Sequence, residues 1–227
     1  MTVSPPLVFE GLPLGARAAA PFDLAVQARQ TVAVLGDEDS GVGRLGAYAM
    51  GLEAPPAGRV VVFDTVVHEL PGPERLAFRR RVGYLPAGDG LLQNLSLRDN
   101  VALPLRFGSD ASSAEIDGRV NIMLVAVRLA AAADRRPAQA NEEERRRTAL
   151  ARAMAFDPRL LVLEQPFDGI TARASAELLE VARGGETAEG AHRTVLITGQ
   201  EVPMVVQRRC DRVYRLTRAG ILEMETV

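Results

Sequence analysis

"LGDEDSGVGRLGAYAMGL" (residues 35–52) is the stretch on which the reading of this chain turns. An apolar run, residues 31–35, leads into a glycine, four polar residues, a second glycine and then a helix-like segment. A phosphate-binding loop has this shape. Its pattern is G-x-x-x-x-G-K-[S/T]: backbone N–H groups surround phosphate, the lysine reaches the β/γ oxygens and the hydroxyl ligates Mg²⁺. Gly36 and Gly41 keep the glycine spacing, but Val42 stands at the lysine position and Gly43 at the hydroxyl position. Arg44 is the next cation, and two places further along a helix its side chain leaves in another direction. Asp37, Glu38 and Asp39 put three carboxylates where a polyanion would sit. They equally suit an exposed polar turn, with Ser40 or Asp39 capping the helix.

Composition sets the frame. The chain has 227 residues, 47% of them hydrophobic and 25% charged, with a formal net charge of −2. That is one domain, or a domain with a subdomain, large enough for a buried core. The near-neutral balance gives no general electrostatic case for nucleic acid. All 27 basic residues are arginine, so no lysine elsewhere in the chain can substitute at the loop. The single cysteine, Cys210, excludes an intramolecular disulfide framework and suits a reducing compartment. The start, "MTVSPPLVFEGLPLG", lacks a basic segment followed by an apolar one, so no signal peptide is expected. No apolar run approaches the length of a membrane span, and a cytoplasmic protein is expected.

Strand patterns alternate with helical ones, the mark of an α/β domain with a largely parallel sheet. "TVAVL", "RVVVF", "RVGYL", "RLLVLE" and "RTVLIT" are short, β-branched and almost continuously apolar, as strands buried on both faces should be. Between the third and fourth, about residues 88–156, the character changes. Ile116, Val120, Leu124 and Val127 fall at helical spacing, and residues 142–156 read as a second helix. This predicts a helical subdomain (88–156) inserted into an α/β core (1–87 and 157–227). The end, "RVYRLTRAGILEMETV", reads as a hairpin turning at Ala219-Gly220.

In this order the pieces resemble the nucleotide-binding domain of ABC transporters. "RRRVGYLPAGDGLLQNLSLRDNVALPLRF" resembles the family's Q-loop segment, and "PRLLVLEQPFDGI" its Walker B and D-loop run. "PAQANEEERRRTALARAMAFDP" is similar to the signature-helix segment, and "TVLITGQE" to the switch-histidine strand. Five motifs in family order are a specific signal. The implied fold is a P-loop NTPase-like core with a mostly parallel sheet, an inserted helical subdomain and an N-terminal antiparallel β region. "DNVALPL" looks closest to cassettes of lipid, lipoprotein or methionine transporters, and within those to the Mla/MCE lipid type.

The resemblance also implies site positions, and the residues at them are unusual. In the family each ATP lies between one subunit's Walker motifs and the other's signature motif. The Walker B acid is Glu164, one methylene longer than the usual Asp, and the position of the water-polarising Glu is Gln165, a neutral amide that cannot act as a carboxylate base. The family's L-S-G-G falls on Ala140, Asn141, Glu142 and Glu143, where two glutamates suit the first turn of a helix. The Q-loop glutamine position is Ala87, the switch-histidine position Gln200 and the D-loop aspartate position Thr171. Leu14 or a neighbour replaces the aromatic that stacks on adenine, and the two histidines, His68 and His192, lie outside the motif positions.

A hydrogen bond to a charged group contributes roughly 1.5–3 kcal/mol, so losing the lysine and the hydroxyl implies about 3–6 kcal/mol, a hundred- to ten-thousandfold in affinity. The substitutions thus predict a pseudo-ATPase, with no cofactor where the family takes ATP and Mg²⁺, serving as a structural or regulatory subunit. The alternative is a residual ATP-binding, weakly ATPase-active or nucleotide-sensing subunit with a non-standard site, for example Arg44 on phosphate. The implied partners are a membrane permease at the cytoplasmic face of the inner membrane and a second cassette, in a homodimer or heterodimer. Nucleic acid and direct membrane insertion are not expected. In the family the permease's coupling helix docks near the Q-loop segment, here around Leu91, Leu92 and Leu95, with Leu97 and Leu103 beside them. Those leucines equally suit ordinary subdomain core.

Overall fold

Most of the apolar runs assemble side by side. The computed structural model describes residues 4–15, 20–184, 193–217 and 222–225. Strands β1 (Leu7–Leu12), β2 (Phe22–Val26), β3 (Thr31–Gly36), β4 (Arg59–Val62), β5 (Thr65–Val66), β6 (Val82–Leu85), β7 (Leu160–Glu164), β8 (Thr194–Gly199), β9 (Arg212–Leu216) and β10 (Leu222–Glu225) form two sheets. The larger has the order β10-β9-β3-β8-β7-β6. Its pairs are parallel except for the β9–β10 hairpin. Every residue of β3, β7 and β8 is buried, as a parallel sheet covered on both faces requires. The smaller sheet, β2-β1-β4-β5, is antiparallel.

One strand departs from the expectation. "RVVVF" forms β4 of the antiparallel sheet, where Arg59 is exposed, Val60 and Val62 are buried and Val61 lies between. A short β-branched run looks the same whether one or both of its faces are covered. The turn at Ala219-Gly220 and His192 lie outside the described residues.

The helices are α1 (Leu45–Ala49), α2 (Gly72–Arg79), α3 (Leu97–Gly108), α4 (Ser113–Ala126), α5 (Glu142–Ala153), α6 (Ala172–Arg183) and α7 (Met204–Gln207). The Ser96 side chain caps α3, and Ser112 with Glu115 forms a capping box on α4, satisfying amides that would otherwise lack partners. Ile116, Val120, Leu124 and Val127 are all buried, as their spacing predicts. The segment expected to be helical over 142–156 ends as a helix at Ala153.

Alternation along β3 divides the core in two. Ala33 and Leu35 join a cluster with Leu97, Val101 and Leu105 of α3, Ile116 and Val120 of α4, and Leu163 of β7. Val32 and Val34 join a second cluster, with Phe9, Phe22, Leu45 and Tyr48. The first ties the helical insertion to the sheet, and the second ties the two sheets together. Each fully buried large side chain contributes about 1.5–3 kcal/mol. No helix among the described residues is long and apolar enough to cross a membrane.

Candidate functional site

The loop after β3 is shaped by its glycines. A Cβ on Gly36 would lie 2.4 Å from Ser40 Oγ and 3.0 Å from the Leu216 carbonyl oxygen. Gly41 has φ +82°, and a Cβ there would come within 2.9 Å of the Gly15 nitrogen. Only glycine fits both places. Between and after them the chain makes two short 3₁₀ turns, Glu38–Ser40 and Val42–Arg44, before the five residues of α1.

Side chains expected at a phosphate turn elsewhere. Ser40 is buried: its hydroxyl donates to the Asp37 carbonyl at 2.6 Å and accepts from the Val42 amide at 3.3 Å. It braces the turn and does not cap α1, which has no side-chain cap. Val42 packs into the core beside Leu14, itself buried. Around Gly43 the space where a Cβ would stand has nothing within 4 Å. Arg44 points along α1, its Nη1 3.4 Å from the Tyr48 hydroxyl and 3.9 Å from Glu53.

Two predicted positions do meet. Glu164, at the end of β7, accepts from the Ala87 amide through Oε2 at 3.1 Å. Its Oε1 is buried without a hydrogen-bond partner, and a Cβ on Gly46 would lie 2.1 Å from it. Burial pushes the Glu164 carboxyl above the usual range, against the pull of the Ala87 amide and the Tyr84 hydroxyl. Gln165 follows in the left-handed region, φ +46°, a costly conformation for a residue with a side chain. Its amide donates to the Thr198 carbonyl at 2.7 Å, and its Cγ lies 3.6 Å from the Gly199 Cβ position, next to exposed Gln200.

Asn141, Glu142 and Glu143 stand at the start of α5. Asn141 and Glu144 form a capping box, with the Asn141 Oδ1 accepting from the Glu144 amide at 2.8 Å. Glu142 pairs with Arg145 and Arg146, and Glu143 with Arg147. Their negative charge faces the positive end of the helix dipole, as expected. A Cβ on Gly169 would lie 2.9 Å from Glu142 Cγ, so the segment after β7 passes close to α5. Thr171 caps α6 through its hydroxyl, which accepts from the Ala174 amide at 3.2 Å.

Sequence reasoning missed a group of positioning residues. Arg146 donates to the Gly88 carbonyl, and Arg152 to those of Asp89 and Gly90. These arginines fasten the segment after β6 onto α5. Buried Asn100 accepts from the Leu92 amide at 2.8 Å and donates to the Leu92 and Ser96 carbonyls. A polar residue inside the apolar "DNVALPL" run was the available signal. Of the leucines proposed for docking, Leu91 and Leu97 are core and Leu95 is half-buried, whereas Leu92 is 44% exposed. Leu91 is corrected on this ground: its apolar side chain is buried in the cluster that holds Leu97 and Val101.

A family model described as ABC transporter matches residues 20–168, about two thirds of the chain. The chain belongs to the ABC transporter family. It is 30% identical over 207 residues to the methionine import ATP-binding protein MetN 2 of Pseudomonas aeruginosa, covering 91% of this chain and 61% of that protein. It is 31% identical over 200 residues to MetN of Caulobacter vibrioides, covering 88% and 59%. The chain thus spans about three fifths of the length of the curated relatives it matches. The dimeric bacterial ABC transporter cassette MJ0796 shares the fold, with a TM-score of 0.85 at 20% identity over 97% of this chain and 98% of that one. The α/β core, antiparallel sheet and helical insertion are therefore those of an ABC cassette.

These matches overturn two expectations drawn from the substituted motifs, that the chain is not an enzyme and that it takes no cofactor. Family model and relatives alike are those of ATP-binding transport proteins. The inference failed because it treated each replaced side chain as an abolished function. The donors present nonetheless do not fit a Mg²⁺-bound triphosphate in the manner of the loop pattern. Position 42 is a core valine, position 43 has no hydroxyl, and the Ser40, Val42 and Arg44 amides have acceptors within the loop. Among the described residues no group of three His, Cys, Asp or Glu could hold a metal ion.

Proposed function

We propose that the chain is the ATP-binding subunit of a membrane transport complex, with a nucleotide site of non-standard chemistry. The observation that carries this is the loop after β3: Gly36 and Gly41 stand where no other residue fits, inside the segment that matches the family model. The replacements at Val42, Gly43, Glu164, Gln165 and Gln200 are read as altering how nucleotide is held. Open space at Gly43 supports close approach of a nucleotide to the loop without a lysine. Without the hydroxyl that anchors Mg²⁺, affinity falls and loses its dependence on that ion.

The subunit divides into an α/β core (1–87 and 157–227) and a helical subdomain (88–156), and pairs with a second cassette, as the similar cassette MJ0796 forms a dimer. It docks on a permease at the cytoplasmic face through the segment that Asn100 holds, with Leu92 as the exposed anchor and Leu95 at its edge. Of the cargo classes that "DNVALPL" resembles, methionine is the one named for the curated relatives. Lipid cargo is a second reading, carried by that stretch alone.

Co-purification with the permease from detergent tests the docking. Leu92→Asp is expected to break the complex, since charging a buried anchor costs about 2 kcal/mol or more. The isolated variant should melt like the parent, because Leu92 is exposed. A complex that survives Leu92→Asp contradicts the assignment.

A further inference from the structure

Helix α4 is apolar on two opposite sides. Ile116, Val120 and Leu124 face the core and are buried. On the other side Ala114, Gly118, Ile122 and Val125 follow one another at spacings of four, four and three residues, and all are exposed. Ile122 is 72% exposed and Val125 66%. A helix that covers a core on one side normally turns polar residues outward, and one that is apolar all round is normally buried all round. The spacing is that of a seam between two packed helices. Gly118, with nothing within 4 Å of where its Cβ would stand, leaves room for a second backbone to come close.

The flanks of the seam select what covers it. With about 100° of rotation per residue, Asp117 falls on one flank and Arg119 on the other, at nearly the same height, and both are exposed. Two α4 helices lying parallel about a twofold axis therefore set Asp117 of each copy beside Arg119 of the other, one pair on each flank. Each seam residue then meets its own counterpart. The backbones approach at the Ala114–Gly118 end, and branched side chains interlock at the Ile122–Val125 end. The other polar groups along the seam are already engaged. Glu115, on the Arg119 flank, binds Ser112 in the capping box, and Asn121, on the Asp117 flank, accepts from Arg98 at 2.6 Å. With Glu115 and Asp117 against the single cation Arg119, the face does not suit an anionic lipid surface.

We propose that α4 is a self-association surface on which a second copy of this chain packs in parallel, Gly118 against Gly118 and Asp117 against Arg119. The contact uses neither the loop after β3 nor the start of α5. It joins copies without nucleotide, and its failure leaves the nucleotide reading untouched.

The test is sedimentation velocity of the full chain over a range of concentrations, without nucleotide and with a chelator. The wild type should self-associate. Ile122→Lys should raise the dissociation constant about tenfold or more and melt like the parent, because Ile122 is exposed. Exchange of charge gives the specific signature. Asp117→Arg and Arg119→Asp alone each set like charges side by side and should weaken association. An equimolar mixture of these two variants, or the double variant Asp117→Arg/Arg119→Asp, should restore it. Should Ile122→Lys melt early, the charge exchange at two exposed positions decides. A wild type that stays monomeric at every concentration overturns the proposal, as does association unchanged by Ile122→Lys. Failure of the mixture to recover also overturns it, since the flanks then do not meet in this way. If the wild type is monomeric and Ile122→Lys instead breaks co-purification with the permease, the permease covers the face and the proposal is overturned.

Discussion

Gly46 and Glu164 fit each other at the level of single atoms. A Cβ at position 46 would meet Oε1 at 2.1 Å and Cδ at 2.8 Å, with Cγ 3.1 Å away, so the whole carboxyl end would have to move. Gly46→Ala is expected to destabilise the fold by about 1–3 kcal/mol, as overpacking does. Glu164→Asp, one methylene shorter, should recover much of that loss. A double-mutant cycle by urea unfolding measures the coupling, and simple additivity would show that the two residues do not press on each other. The same carboxyl gives a pH signature. Its folded pKa is raised above the unfolded value by burial, so its neutral form favours the fold. That contribution is complete below the ordinary glutamate pKa of about 4.3 and is lost as pH rises through the folded value. Glu164→Gln should therefore gain stability relative to the wild type as pH rises above the ordinary glutamate pKa of about 4.3. Parallel pH profiles for the two proteins would contradict the burial of a titrating carboxyl.

Among the elements, Asn100 of α3 fixes the segment before it. Its amide makes three bonds, to Leu92 N, Leu92 O and Ser96 O. Asn100→Ala leaves these backbone groups without their partner, at about 1–3 kcal/mol. The loss should appear in a thermal melt and as faster hydrogen exchange at the Leu92 amide; unchanged exchange would show that the segment holds without Asn100. Elements whose logic is local were legible in sequence: the buried strands β3, β7 and β8, the helix through Ile116, Val120 and Leu124, and the glycine loop. Others depend on distant partners. Strand β4 reads as a buried strand because its apolar run carries no record of which sheet adopts it. The arginines at 146 and 152 carry no local mark of their partners, yet they grip the carbonyls of residues 88–90 across the fold. The short turns around Gly41, which keep the loop from leading straight into a long helix, depend on Ser40 folding inward onto Asp37.

For the whole molecule, the cassette architecture followed from the order of the motifs, whereas the functional state did not follow from the replaced side chains. A lost contact sets a free-energy difference; it does not by itself set whether a site is used. With the lysine and hydroxyl contacts gone, affinity should lie about a hundred- to ten-thousandfold below that of an intact loop. More distinctively, the Mg²⁺ anchor is missing at Gly43, and Glu164 is turned to the Ala87 amide. The direct test of the central claim is calorimetric titration of ATP into the full chain, with Mg²⁺ and again with a chelator. Saturable binding of equal strength under both conditions is the predicted result. Absence of saturable binding, or binding at least about tenfold tighter with Mg²⁺, would contradict it.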